Sequence, residues 1–358
     1  MRDPGERFRD GNLIVDLLAG RVGKIRPPRS RARFLDLCRA HGVEAVLFEK
    51  LRLRGARGEA WDRILKELES ARRQNIARNI YLLSRLRELH SILRKAGIPL
   101  IVLKGGCLLS VLYPDFGNRP LGDVDLLIRK RDLDRVLGLM RAAGWRLPPR
   151  ESVDFWRKNF YHVQIRTPDA FSAIFEIHWD LEKEYRHDIQ LEELWERSVI
   201  FQLEGEPFRR LSNEDLMLHL LVHLAHHFFR PRLIWVYDIR LLAEVATVDW
   251  SRVLARAERW RLRLPVFYSM AYVEKVFPDL LPPEVIQAAK VSRFRRGILQ
   301  AASTADPLTL TLPMERAFLR LPFSLYFIGR PGDILKFLWR NLGSKVLPGS
   351  PGRNPGQS

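Results

Sequence analysis

Cysteine is almost missing from this chain of 358 residues. Cys38 and Cys107 are the only two, too few for a disulfide framework, and that scarcity fits a reducing, cytoplasmic setting. No stretch reaches about 18 uninterrupted apolar residues, so no membrane span is expected. The opening residues, MRDPGERFRDG, lack the apolar core of a signal peptide, and secretion is not expected either. No segment repeats another. Lysine is also scarce: 48 of the 60 basic residues are arginine, set against 42 acidic ones, for a formal net charge of +18. Such a surplus favours an anionic partner such as a nucleotide, a nucleic acid or a membrane surface. The basic residues are scattered along helix-forming segments instead of gathering in one block, so the charge leaves room for a nucleic acid without favouring it.

What is present is a large apolar share, 46%, interleaved with charge throughout, as in a globular protein long enough for two or three packed units. From Arg31 to Gly97 apolar residues recur at helical spacing. In NIARNIYLLSRLRELHSILRKAG, Ile76, Ile80, Leu83, Leu86, Ile92 and Leu93 fall near one face, and Gly97 closes the helix. IPLIVL then reads as a buried strand, followed by a Lys104-Gly105-Gly106 turn and a short helix to about Leu112. DVDLLI is a second strand. Asp132 starts a helix that Gly144 ends. FYHVQIR and AIFEIHW, separated by TPDAFS, read as a hairpin. Beyond about Leu203 the pattern returns to helices, and the last residues, GSPGRNPGQS, read as a frayed tail.

The chemistry concentrates in the central segment. Residues two apart on a strand share a face, so Asp123 and Asp125 present their carboxylates side by side while Val124 and Leu126 turn to the core. Two like charges so close raise one another's pKa or require a cation, and a divalent ion that takes oxygen ligands answers that requirement. In AIFEIHW the same alternation puts Glu176, His178 and Asp180 on one face. If that strand lies near the Asp123 strand, Glu176 supplies a third carboxylate, with Asp180 as the substitute should the register differ. Three carboxylates can hold two ions about 4 Å apart, the arrangement of phosphoryl and nucleotidyl transfer. A strand, two glycines and a helix start also expose backbone N–H groups to a phosphate, and Lys104 and Arg119 are nearby cations that could meet the same anion.

LKGG, then RPLGDVDLLI, then FEIHW resembles the nucleotidyltransferase superfamily typified by DNA polymerase beta. Within it, the sequence most resembles a family of uncharacterised bacterial nucleotidyltransferases that read LKG, then R-P-x-x-D-hydrophobic-D-L, then [DE]-hydrophobic-H-W. The resemblance covers roughly Ile80 to Trp250. It implies Gly105 and Gly106 as phosphate-binding glycines, Asp123 and Asp125 as the metal-binding pair and Glu176 as the third carboxylate. Lys104 and Arg119 stand with the glycines as candidate nucleotide contacts. The implied cofactor is Mg²⁺ or Mn²⁺, with a nucleoside triphosphate as substrate. Two departures stand out: the gap between the glycines and Asp123 is longer than in the polymerases, and Gly106 occupies a position where many members of the superfamily have serine.

The expected fold class is α+β, a nucleotidyltransferase-type mixed sheet flanked by helices. A helical N-terminal region spans 1–78, the nucleotidyltransferase core 79–202, a helical C-terminal domain 203–345 and a disordered tail 346–358. His178 reads as a supporting histidine and not a ligand. His219, His223, His226 and His227 recur at helical steps, but HLLVH lacks the glutamate of a metalloprotease helix, so a packed, hydrogen-bonded helix pair with Asp238 on the next helix is expected. The segment 321–347 mixes aromatic, aliphatic and basic residues and allows peripheral membrane contact, although packing on the helical domain is the simpler reading.

Overall fold

The computed structural model describes residues 4–21, 25–183, 187–227 and 231–288. Three helices, α1 (Pro4–Ala19), α2 (Arg31–His41) and α3 (Glu44–Leu53), lead into α4 (Glu59–Lys95), an unbroken helix of 37 residues. Its inner stripe is Leu82, Leu83, Leu86, Leu89 and Leu93; Ile80, expected on that face, is 49% exposed. Gly97 ends the helix at φ +69°, and Ile98 N–H reaches back to the Leu93 carbonyl. Because α4 runs straight through residues 78 and 79, the expected boundary there falls inside one element.

The sheet follows. β1 (Ile101–Val102) leads into α5 (Lys104–Leu112), then β2 (Val124–Leu127), α6 (Leu133–Ala142), α7 (Arg150–Asn159) and the hairpin β3 (His162–Arg166) and β4 (Ile174–His178). After α8 (Leu191–Arg197) comes a second hairpin, β5 (Val199–Leu203) and β6 (Glu206–Arg210), and the strand order is β3-β4-β2-β1-β6-β5. The β2–β4 and β1–β6 pairs are parallel and the others antiparallel, so the sheet is mixed as expected. The expected strand over 98–103 shortens to two residues, and the Lys-Gly-Gly turn is the first turn of α5. The β5–β6 hairpin was not anticipated, and it extends the sheet past residue 202 to Arg210.

Four further helices match the expected segments: α9 (Asn213–His226), α10 (Leu233–Val245), α11 (Trp250–Arg259) and α12 (Arg263–Val276), with a short α13 (Pro283–Ala288) after them. Ser212 caps α9 through the Asp215 N–H, and α9 is apolar nearly all round because α10, α11 and α12 pack against it. The described architecture is therefore α+β. None of its helices is long and apolar enough to cross a membrane. The segment 321–347 and the tail 346–358 lie outside the described residues.

Candidate active site

Parallel pairing of β2 with β4 sets Asp125 opposite Glu176, and antiparallel pairing of β3 with β4 sets Gln164 opposite Glu176 and His162 opposite His178. Cross-strand partners share a face, so two carboxylates and two imidazoles converge at the centre of the sheet. Asp123 lies just before β2, two residues from Asp125. Lys104 opens α5 at φ +40°, a left-handed conformation that a lysine adopts at a cost. There its ammonium sits 2.7 Å from Asp125 Oδ1. His178 Nε2 lies 2.9 Å from the same oxygen and 3.3 Å from Glu176 Oε2. Gln164 Nε2 donates to Glu176 Oε1 at 2.8 Å, and His162 Nε2 lies 3.7 Å from that oxygen.

The electrostatics follow from this crowding. Burial and the adjacent Asp125 charge push the Asp123 carboxyl up to about 7. Burial works against Asp125 too, yet the Lys104 charge and the His178 hydrogen bond hold it well below the usual carboxylate range. Glu176 also ends below its ordinary value: burial raises it, and its hydrogen bond to His178 more than offsets that. Burial opposes a charged His178, but its bonds to Asp125 and Glu176 raise its pKa overall. His162 moves down to about 4 through burial and the neighbouring His178. Two ionised carboxylates thus already hold a lysine and a histidine, while Asp123 makes no comparable pair among the described residues. That oxygen-rich set, with one carboxylate forced towards neutrality by another, suits Mg²⁺ or Mn²⁺, which would relieve the repulsion.

The glycines are placed differently from an open cradle. Both are buried, and a Cβ on Gly106 would come 2.8 Å from Val102 Cγ1, while one on Gly105 would come 2.4 Å from Arg119 Nη1. A serine at 106 would therefore collide with β1, which accounts for the glycine there. The N-cap residue of α5, Leu103, has no side chain that could accept from the first-turn N–H groups. Cys107, next in line, is fully buried, and its thiol is pushed up to about 12 by that burial, which makes it inert.

Arg119 also departs from expectation. Instead of reaching towards a phosphate, it pairs with Asp238 of α10, Nε to Oδ1 at 2.9 Å and Nη2 to Oδ2 at 2.8 Å, with Tyr113 Oη on the same carboxylate at 2.6 Å. Helix α10 packs on α9 as expected, but the fully buried Asp238 bonds to these two residues and, among the described residues, not to the α9 histidines. Asp180 turns from the site as well, its Oδ1 accepting from Leu181 N–H and lying 3.4 Å from His187 Nε2. Of the α9 histidines, His226 meets Glu182 at 2.5 Å, and His223 and His227 pack on Trp235. Burial and the nearby Lys104 charge hold His219 down at about 3, so it stays neutral.

The residues missing from the sequence reading are those that fix the long loop ahead of Asp123. The buried Asn79 of α4 donates to the carbonyls of Phe116 and Arg119 at 2.6 and 2.7 Å and accepts from Leu121 N–H. Arg78 donates to the carbonyls of Leu121 and Gly122, Asn75 to Gly117, and Arg72 pairs with Asp115. The longer gap between the glycines and the aspartates is thus a loop clamped along one helix. Polar residues spaced 72, 75, 78 and 79 on an amphipathic helix were the signal available.

Among solved structures, the antibiotic-resistance factor ANT(2'')-Ia is similar at 13% identity and a TM-score of 0.34 over 50% of this chain and 91% of that one. An antigenic nucleotidyltransferase-like protein from Paracoccidioides brasiliensis is similar at 14% and 0.38 over 58% and 92%. Likeness at that level says nothing of substrate. No curated protein matches the chain in sequence. The uncharacterised nucleotidyltransferase family, in contrast, matches over residues 27–278, most of the chain and all of the acidic site, and the protein belongs to that family.

Proposed function

We propose that the protein is a metal-dependent nucleotidyltransferase that moves a nucleoside monophosphate from a nucleoside triphosphate to an acceptor hydroxyl on a small molecule, sugar or peptide natural product. The observation that carries this reading is the register of β2 on β4, which sets Asp125 beside Glu176 with Asp123 two residues away. Asp123, Asp125 and Glu176 would hold Mg²⁺ or Mn²⁺, which when bound supplies positive charge for the triphosphate. The acceptor oxygen bonds to the α-phosphorus, the bond to the β-phosphate oxygen breaks, and pyrophosphate leaves. Glu176, held ionised by Gln164 and His178, accepts the hydroxyl proton. Lys104 counters Asp125 in the free enzyme and lies where it can also meet a phosphate. The Gly105-Gly106 turn contributes the backbone of the α5 N-terminus, where an anion is favoured. Such chemistry is mostly positioning and charge, so no nucleophilic side chain is required.

Incubation with each of the four triphosphates labelled at the α-phosphate, against a pool of small hydroxylated metabolites, against tRNA and against total protein, tests the reading. Label in a new small product supports it. Label in RNA or protein assigns a toxin-like modifying enzyme, and nucleotide binding without label in any fraction assigns a non-catalytic nucleotide-binding scaffold.

A further inference from the structure

We propose that His162, Glu176 and His178 form a site for a divalent transition-metal ion with mixed nitrogen and oxygen donors, adjoining the Asp123–Asp125 pair. The inference deepens the functional proposal and rests on it for the carboxylate that the two share. Among the described residues, these three side chains offer ligand atoms that all lie within 4.8 Å of one another. The sheet builds the cluster: His178 and Glu176 are two apart on β4, and His162 is the cross-strand partner of His178 on β3.

Donors bound tetrahedrally at about 2.1 Å from a metal stand about 3.4 Å apart. His178 Nε2 stands 3.3 Å from Glu176 Oε2 and His162 Nε2 3.7 Å from the other oxygen, Oε1, and with one donor atom taken from each residue the three lie within 4.8 Å of one another. Gln164 Nε2 donates to Glu176 Oε1 at 2.8 Å and fixes the carboxylate, the supporting contact that ligating carboxylates commonly have. Two imidazoles change the preference of the site. Mg²⁺ takes oxygen ligands and sheds water reluctantly, whereas imidazole suits iron, nickel, copper and zinc, and among divalent first-row ions Mn²⁺ binds nitrogen most weakly.

His162 and His178 are both buried, and each ring directs Nε2 at the acidic cluster. Three protein donors leave positions open for water or a substrate oxygen, the pattern of a working site and not a closed structural one.

The test uses untagged, chelator-stripped full-length protein and Mn²⁺ alone as probe. Electron spin-echo modulation of the bound Mn²⁺ is expected to show nitrogen-14 couplings. H162Q should lose part of that modulation and weaken Mn²⁺ binding by about 10- to 100-fold. Mg²⁺ at equimolar concentration should not displace the bound Mn²⁺. Bound Mn²⁺ without nitrogen coupling, or displacement by equimolar Mg²⁺, overturns the proposal. The wild-type nitrogen signal decides the matter even if H162Q fails to fold, and zinc-edge absorption of the Zn²⁺-loaded wild type reads the same donors without a variant. Mg²⁺-dependent pyrophosphate release with no nitrogen-ligated Mn²⁺ would keep the functional reading and sink this one. Nitrogen-ligated Mn²⁺ without pyrophosphate release would do the reverse.

Discussion

At Asp123, burial and the Asp125 charge both oppose ionisation, and the carboxyl is pushed up to about 7. Its unfolded value is near 3.9, so the stability cost is absent below about pH 4, grows as pH rises towards 7 because the folded protein must keep a proton that the unfolded chain has lost, and is complete above it. D123N should therefore raise the melting temperature of the metal-free protein by several degrees at pH 8, a gain that shrinks as pH falls and vanishes near pH 4. Calorimetry across that range checks it, and a gain that is the same at every pH would contradict the assigned cause. The carboxylates were legible because strand alternation is local: two-residue spacing alone sets Asp123 beside Asp125, and Glu176 beside His178. Their partners were not. Arg119 finds Asp238 across 119 residues of sequence, and nothing in RPLGDVD distinguishes an arginine aimed at a phosphate from one closing a buried ion pair.

Elements recovered their expected places where periodicity was long and caps were clear, as in α9 behind Ser212 and α4 before Gly97. The β5–β6 hairpin escaped because its strands are short and its faces are not cleanly alternating. Its two-residue turn, Glu204-Gly205 with φ +50° and +80°, is the local hairpin signal that the sequence carries. Apolar identity points Ile80 inward, yet it is exposed, and the polar Asn79 one position earlier is the buried residue. That exchange has a consequence for activity, since Asn79 ties α4 to the loop that delivers Asp123. N79A should leave the Phe116 and Arg119 carbonyls and the Leu121 N–H unpartnered, costing at least about 2 kcal/mol in urea unfolding. It should also lower turnover by about 10- to 100-fold through a displaced Asp123. Stability lost with turnover intact would mean that the loop does not position the site.

Among the described residues, helices, a mixed sheet and further helices meet around the acidic centre, and the sequence as a whole carries a net charge of +18 that favours anionic partners. Much of that arginine is already paired internally: Arg197 and Arg256 both meet the buried Asp215, and Arg87 meets Glu204 and Glu206. Composition counted these charges but could not say which were free. Global stability offers a test of ligand class, because a ligand that binds only the folded protein stabilises it by about 2.7 kcal/mol at 100 times its dissociation constant. A triphosphate with Mg²⁺ should produce that shift, and each alone should produce less. The most direct measurement is pyrophosphate release from the four triphosphates, with and without Mg²⁺, by the wild-type protein and by D125N in the presence of a competent acceptor. The account predicts Mg²⁺-dependent release that falls by about 100-fold or more in the variant, a loss of at least about 2.7 kcal/mol of transition-state stabilisation. Equal release by both proteins would contradict it.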